Sequence, residues 1–269
     1  MLYILGLIKC FAMSQMKSNI ALQVVNVVAF LAVVIVNALA TTTLLNGRTT
    51  AEVSGLYPTL ITPAGFTFSI WGIIYVLLLV FVVFQLLPRH RKDAFHKQIG
   101  YLFGLSSVFN IVWLFLWQYD YITVSVALMF GLLATLIAIY LRLHIGKSKA
   151  LLQEKLCVHL PFSVYLGWIT VASIANVATA LVSVHWDGFG ISEADWAVLV
   201  IAVALIITLA TLATRRDMAY GLVIIWALAG IIVNQTGNPN VAMIAEASAI
   251  IIAVAITIVA VASRLKRAL

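Results

Sequence analysis

The chain has 269 residues, of which 64% are hydrophobic and only 9% are charged. A soluble domain usually carries about 25% charged residues, so this composition excludes an ordinary soluble globular protein. The net charge of +7 comes from basic residues in short loops beside apolar segments. Membrane topology and anionic lipid headgroups account for such residues, so we do not expect nucleic-acid binding.

The apolar residues fall into eight long segments. A helix rises about 1.5 Å per residue and needs about 20 residues to cross a hydrocarbon core of about 30 Å. The segments lack the alternating pattern of barrel strands, which leaves helices as the spanning structure. The sequence therefore predicts an all-α polytopic membrane helical bundle. The predicted spans are residues 20–43, 66–87, 99–117, 121–143, 158–184, 196–213, 219–235 and 241–262.

Residues 1–19 precede the first span and are assigned to a cytoplasmic N-terminal segment. The apolar stretch from Leu2 to Ile8 is too short for a signal-peptide core, and Lys9 interrupts it. Residues 1–12 are therefore either an interfacial helix or a stretch ahead of a natural start at Met13 or Met16.

The lysines and arginines indicate the orientation of the chain, because cationic loops are retained in the cytoplasm. With eight spans, 15 of these residues fall on one face and only Arg48 on the other. Both termini are thus expected in the cytoplasm, in the plasma or inner membrane of a bacterium. Cys10 and Cys157 also fall on this reducing side, so no disulfide is expected. The 15 residues are Lys9, Lys17, Arg89, Arg91, Lys92, Lys97, Arg142, Lys147, Lys149, Lys155, Arg215, Arg216, Arg264, Lys266 and Arg267.

Two of the predicted outer connections are long. Residues 44–65 contain Tyr57, Pro58 and Pro63, which restrain the backbone near the start of the second helix. Residues 185–195 carry Asp187, Glu193 and Asp195 and are interpreted as a solvated acidic loop. In the third helix, Gly100 and Gly104 are four residues apart, a spacing that favours close helix packing.

Polar side chains within the spans are few, and each needs a partner or a cavity. Asn37, Tyr75, Asn110, Asn176 and Glu246 all fall about 8–14 Å below the outer surface, counted at the helical rise. Glu246, the only carboxylate in a span, is by default a candidate for proton transfer. Its position near the outer end also fits a glutamate that is exposed to water or paired with an asparagine.

Aromatic residues share faces with these polar groups at helical spacing. The faces are Phe68, Trp71 and Tyr75 in helix 2, Asn110, Trp113 and Trp117 in helix 3, and Tyr165, Trp168, Ala172 and Asn176 in helix 5. Such faces line an apolar pocket with sparse polar anchors, or simply pack helices together. Trp117, Tyr119, Tyr121, Trp186 and Trp196 are interpreted as the aromatic belt at the membrane interface.

The residues needed for several chemistries are missing. No lysine lies in a span, the histidines lie in loops or at helix ends, and the chain has no catalytic triad or phosphate-binding loop. We therefore do not expect an enzyme, a metal site or a required cofactor.

Three motifs resemble the TspO/MBR family of tryptophan-rich sensory proteins. They are YPTLITPAGFTFSIWGIIY from Tyr57 to Tyr75, NIVW from Asn110 to Trp113, and LPFSVYLGWITVASIAN from Leu160 to Asn176. The resemblance covers residues 20–185, while residues 186–269 form a three-helix extension without a counterpart in the compact five-helix members. The chain is thus similar to a long, divergent branch in which Ala64, Gly65 and Phe66 replace the usual prolines and tryptophans.

The resemblance implies a five-helix core around a pocket for porphyrins, sterols or aromatic drugs. It places Trp71, Tyr75, Asn110, Trp113, Trp168, Ala172 and Asn176 in that pocket, with Tyr57 and Pro63 in its lid; Phe68 joins them by helical spacing. The expected partners are a hydrophobic small molecule and membrane lipid, and a homodimer is compatible with the family. The leading hypothesis is a receptor or carrier for a flat hydrophobic ligand such as a porphyrin. The alternatives are a secondary transporter that uses the extra helices and Glu246, and a non-catalytic subunit of a membrane complex.

Overall fold

The structure of the protein is a computed structural model. It describes residues 2–268, and side chains for residues 19–265; the side chains of Lys9, Cys10, Lys17, Lys266 and Arg267 lie outside this range. The described backbone contains helices and turns and no β-strand, which confirms the all-α membrane bundle. The long helices are α1 (Leu2–Thr41), α2 (Ile70–Leu86), α3 (Leu102–Gln118), α4 (Ile122–Arg142), α5 (Leu160–Ser183), α6 (Glu193–Arg215), α7 (Met218–Asn234) and α8 (Pro239–Ala268).

Six of these helical segments are long and apolar enough to cross a membrane. They are Asn19–Thr41, Gly65–Leu86, Ile122–Arg142, Leu152–Ser183, Glu193–Arg215 and Pro239–Leu265. The other two long helices, α3 and α7, are equally apolar but have 17 residues each, which rise only about 25 Å. Both pack between longer helices of the bundle. The predicted number of eight long helices is therefore confirmed, but two of them are shorter than predicted.

The start of α3 differs from the prediction. Gly100 ends a short helix, Phe95–Ile99, with a φ of 54°, a conformation that glycine adopts without strain. Gly100 therefore lies before α3, and its predicted role in helix packing is wrong. Gly104 does lie at a helix contact, because a Cβ atom there would come within 3.2 Å of Val25 in α1.

The two ends of the bundle differ in charge. At one end lie residues 87–101, 143–159 and 216–217, which are rich in lysine and arginine; we call this the basic end. At the other lie residues 42–69, 119–121, 184–192 and 235–238, which include Arg48 as their single lysine or arginine; we call this the acidic end. Arg48 pairs with Asp120 at 3.7 Å.

The three C-terminal helices are joined to the first five through α7. This helix packs along α5, where a Cβ atom on Gly167 would lie 3.0 Å from Val223. On its other sides α7 contacts α8 and α6. The helices after residue 185 are therefore packed against the core rather than separate from it.

Asp217 connects three helices at the basic end. It is the N-cap residue of α7 and accepts a hydrogen bond from the Tyr220 amide at 3.2 Å. Its other carboxylate oxygen accepts from Tyr140 of α4 at 2.9 Å and Ser163 of α5 at 2.7 Å. The carboxylate is buried, and these donors offset its desolvation.

Candidate functional site: an aromatic cluster beneath a clamped loop

Aromatic rings from α2, α3 and α5, together with Phe68 from the short helix Gly65–Ser69 before α2, meet in the half of the bundle nearer the acidic end. The ring of Trp71 lies 5.7 Å from Tyr75, 6.3 Å from Trp113, 6.1 Å from Tyr165 and 6.2 Å from Trp168, measured between centroids. These spacings are typical of stacked and edge-to-face aromatic pairs. We call the set the aromatic cluster; it consists of Phe68, Trp71, Tyr75, Trp113, Trp117, Tyr165 and Trp168.

Trp117 belongs to this cluster and not to an interface belt. Its side chain is buried, its ring stacks on Trp113 at 5.7 Å, and its indole nitrogen donates to the Thr50 carbonyl at 3.2 Å. The loop after α1 folds a short helix, Thr50–Gly55, over this position. The four-residue spacing from Trp113 was the sequence signal that placed both indoles on one face.

The buried asparagines are bonded to protein groups. Asn37 of α1 donates to Asn110 at 2.9 Å, and Asn110 donates to the Tyr165 hydroxyl at 3.2 Å. Asn176 accepts from the Trp113 indole nitrogen at 2.9 Å and donates to Ser125 of α4 at 2.9 Å. These bonds tie α1, α3, α4 and α5 together.

Two polar atoms of the cluster have no such partner. The Trp168 indole nitrogen and the Tyr75 hydroxyl are both buried and make no hydrogen bond within the described part of the chain. Buried polar groups are nearly always paired, so each unpaired one calls for a structural or functional reason. Both atoms are able to donate, and they lie on side chains that contact the same ring, that of Trp71.

A small cavity of about 30 Å³ lies within the cluster. That volume accommodates one or two water molecules and no aromatic ligand. Seven of the predicted site residues line it: Pro63, Phe68, Trp71, Trp113, Trp168, Ala172 and Asn176. Its wall also includes Thr50, Ser54, Val171 and Ala175, which the sequence analysis did not single out, and Trp117.

Three predicted residues do not line this cavity. Tyr75 stacks behind Trp71, and Asn110 is enclosed between α1 and α5. Tyr57 is half-buried in the loop before α2 and packs against the core. Of the three, Tyr75 contacts the cavity wall directly, through the ring of Trp71.

The loop above the cluster is held by α7 and by Gln235, the residue that follows it, an arrangement that no spacing within one helix predicts. Trp226 donates to the Thr67 carbonyl at 3.0 Å, Asn234 to the Thr62 carbonyl at 3.0 Å, and Gln235 to the Thr59 carbonyl at 3.3 Å. The carbonyl of Gly230 accepts from the Ala64 amide at 3.0 Å. We call residues 59–67 the clamped loop.

Glu246 is not part of this arrangement. It lies on an exposed face of α8, and the side chains of Asn234 and Gln235 are directed to the clamped loop. Within residues 19–265 no hydrogen bond or ion pair involves Glu246, and no group of three His, Cys, Asp or Glu residues is placed to hold a metal ion.

The comparisons with known proteins agree with this architecture. Residues 23–259 match the family model of TSPO-like proteins, a range that includes the aromatic cluster and most of α6–α8. Neither the curated proteins nor the solved structures gave a significant match. The division of the chain at residue 185 stays a prediction, since the family match continues across it. With the family model covering most of its length, this integral membrane chain belongs to the TSPO-like protein family.

Proposed function

We propose that the protein is a non-enzymatic membrane receptor or carrier that binds a flat hydrophobic ligand with polar edges, such as a porphyrin, in the aromatic cluster. The observation that carries this proposal is the pair of unpaired donors, the Trp168 indole nitrogen and the Tyr75 hydroxyl, among stacked rings. A ligand whose rim carries carbonyl or carboxylate oxygens would accept from the Trp168 indole nitrogen in the cavity wall, and from the Tyr75 hydroxyl once the cluster opens, while its rings stack on the indoles.

Binding requires the cluster to open, because the present cavity holds about 30 Å³. Pro63 of the clamped loop lines the cavity and so forms part of its cover. The bonds from α7 to this loop involve backbone carbonyls, which water can replace at modest cost when the loop moves. Opening of the clamped loop is therefore the movement that we propose for ligand entry.

The test is the quenching of tryptophan fluorescence by protoporphyrin IX in purified protein. We expect saturable quenching in the native protein and weaker binding in Trp168→Phe, which keeps a ring but removes the indole donor. One lost hydrogen bond of about 1 kcal/mol corresponds to about a fivefold weaker affinity.

A second variant in the same test separates an effect on ligand binding from an effect on packing. Tyr75→Phe removes a hydroxyl that has no partner, so we expect the ligand-free protein to gain up to about 1 kcal/mol of stability while porphyrin affinity falls about fivefold. Tyr121→Phe, which removes an exposed hydroxyl, is the matched control and should change neither. Unchanged affinity in both Tyr75→Phe and Trp168→Phe would refute the site.

We further propose that the basic end faces the cytoplasm, which places both termini there and the clamped loop on the outer side. The support is the distribution of lysine and arginine between the two ends of the bundle. Glu246 gives the transporter alternative no support, because it lies on an exposed face of α8.

A further inference from the structure

A second and much larger cavity lies between α5 and α6. Its volume is about 580 Å³, within the range of small-molecule sites. Ser173, Val177 and Leu181 form part of one wall, and Ala197, Val200 and Ile207 part of the other. Along each helix the cleft runs for about 13 residues, or about 20 Å, from the acidic end toward the middle of the bundle.

The interior of this cleft is effectively apolar. Its two hydroxyl-bearing residues on α5 bond to their own helix: Thr170 donates to the Leu166 carbonyl at 2.9 Å, and Ser173 to the Ile169 carbonyl at 2.7 Å. Thr170 also accepts from the Tyr220 hydroxyl at 3.2 Å. Both hydroxyls already have hydrogen-bond partners and do not need a polar group from a ligand. The part of a ligand that lies in this interior should therefore be apolar.

The mouth of the cleft has the opposite character. Asp187 and Glu193 line it, and both are exposed. The indoles of Trp186 and Trp196 also line it, 5.3 Å apart, and the Trp196 nitrogen donates to the Gly188 carbonyl at 2.9 Å. Residues 185–195 contain three carboxylates and no lysine or arginine, so the mouth carries net negative charge.

We propose that this cleft binds a cationic amphiphile, with its apolar body between α5 and α6 and its positive group at Asp187 and Glu193. The acidic mouth attracts a cation and repels the headgroups of anionic lipids. The indole of Trp186, which lines the mouth, adds an aromatic group suited to a cation–π contact. This site goes beyond the proposed function, which concerns the aromatic cluster; the two share only the clamped loop, whose residues Thr59, Leu60 and Ile61 line one end of the cleft.

The cleft is also open along its side. Phe130 of α4 and Val203 of α6, which line it, have exposures of 49% and 44%. Both positions lie within membrane-spanning helices, so this opening faces the hydrocarbon region. An amphiphile dissolved in the bilayer therefore has a lateral path into the cleft that does not cross the clamped loop.

The experiment uses two ions of nearly equal size and opposite charge. Binding of tetraphenylphosphonium and of tetraphenylborate to the full chain in zwitterionic lipid nanodiscs is measured by equilibrium dialysis, with empty nanodiscs as the background. We expect saturable binding of tetraphenylphosphonium above the background and none of tetraphenylborate. Equal binding of both ions, or binding of neither, overturns the proposal.

Variants then locate the binding. Asp187→Asn combined with Glu193→Gln should weaken tetraphenylphosphonium about five- to tenfold, the effect expected for two exposed ion pairs. Asp120→Asn is the matched control: it removes an exposed carboxylate at the same end but outside the cleft, at a position with a φ of 63° that asparagine tolerates. Equal weakening in the control and in the double variant overturns the assignment to the mouth.

Filling the cleft gives an independent test of its interior. Ala178→Phe on α5 and Val200→Phe on α6 place a ring in the cavity from opposite walls. Each variant should abolish saturable tetraphenylphosphonium binding and leave the unfolding temperature close to that of the native protein, because the added ring enters empty space. If either variant folds and still binds the ion with native affinity, the cleft is not the site.

Discussion

Single buried residues fix the positions of neighbouring helices, and Asp217 shows how. Its carboxylate accepts hydrogen bonds from Tyr140, Ser163 and the Tyr220 amide and so connects α4, α5 and α7. The sequence contains a signal for this role, since an aspartate directly before an apolar helix is a typical N-cap. No comparable pattern in the sequence indicates that its carboxylate contacts α4 and α5.

Replacing Asp217 should therefore destabilise the bundle. Asp217→Ala removes an N-cap bond and leaves the buried hydroxyls of Tyr140 and Ser163 without their acceptor, at a total cost of about 2–4 kcal/mol. Denaturant unfolding in detergent micelles measures the loss. Ser163→Ala removes one donor only and should cost less; a smaller loss in Asp217→Ala than in Ser163→Ala would contradict the assigned role.

At the scale of elements, the contact between α7 and the clamped loop is the main feature. Gly230 permits it, because a Cβ atom at this position would lie 2.1 Å from the Thr67 hydroxyl oxygen and 2.9 Å from Cβ of Pro63. No residue larger than glycine fits there unless the loop or the helix moves.

Gly230→Ala should thus loosen the clamped loop. We expect faster amide hydrogen exchange across residues 59–67, with the helical content unchanged. Gly72→Ala is the control, since a Cβ atom there meets nothing within 4 Å. Equal exchange rates in native protein and Gly230→Ala would show that the loop does not depend on this contact.

At the scale of the whole molecule, the three C-terminal helices support the site formed by the first five. Removing them deletes every bond from α7 to the clamped loop and exposes the face of α5 that contacts α7. A chain that ends at Gly190 should unfold at a lower temperature and exchange rapidly over residues 59–67. Native values in both measurements would mean that residues 20–185 form an independent unit.

The proposed orientation is also a property of the whole chain. After Cys10→Ser and Cys157→Ser, single cysteines are introduced as Val184→Cys at the acidic end and Lys149→Cys at the basic end. In intact cells a membrane-impermeant maleimide should label Val184→Cys, and should label Lys149→Cys only after permeabilisation. The reverse pattern would invert the topology.

The sequence alone determined the all-α membrane architecture, the order of the helices and most of the lining of the small cavity in the aromatic cluster. These features depend on local quantities: the length of an apolar run against the thickness of the bilayer, and the spacing that places Trp113 with Trp117 or Trp168 with Ala172 on one face. Such quantities are set within a few turns of helix and need no knowledge of the neighbours.

The tertiary structure alone decided which groups meet. Trp226 and Thr67 are 159 positions apart, and Asn234 and Thr62 are 172 apart, yet each pair shares a hydrogen bond. The exposure of Glu246 and the gap between α5 and α6 likewise depend on where distant helices lie. In lipid, apolar surfaces do not drive helices together, so close packing and a few hydrogen bonds between helices determine where each helix lies. Neither of these can be deduced from the sequence of one helix by itself.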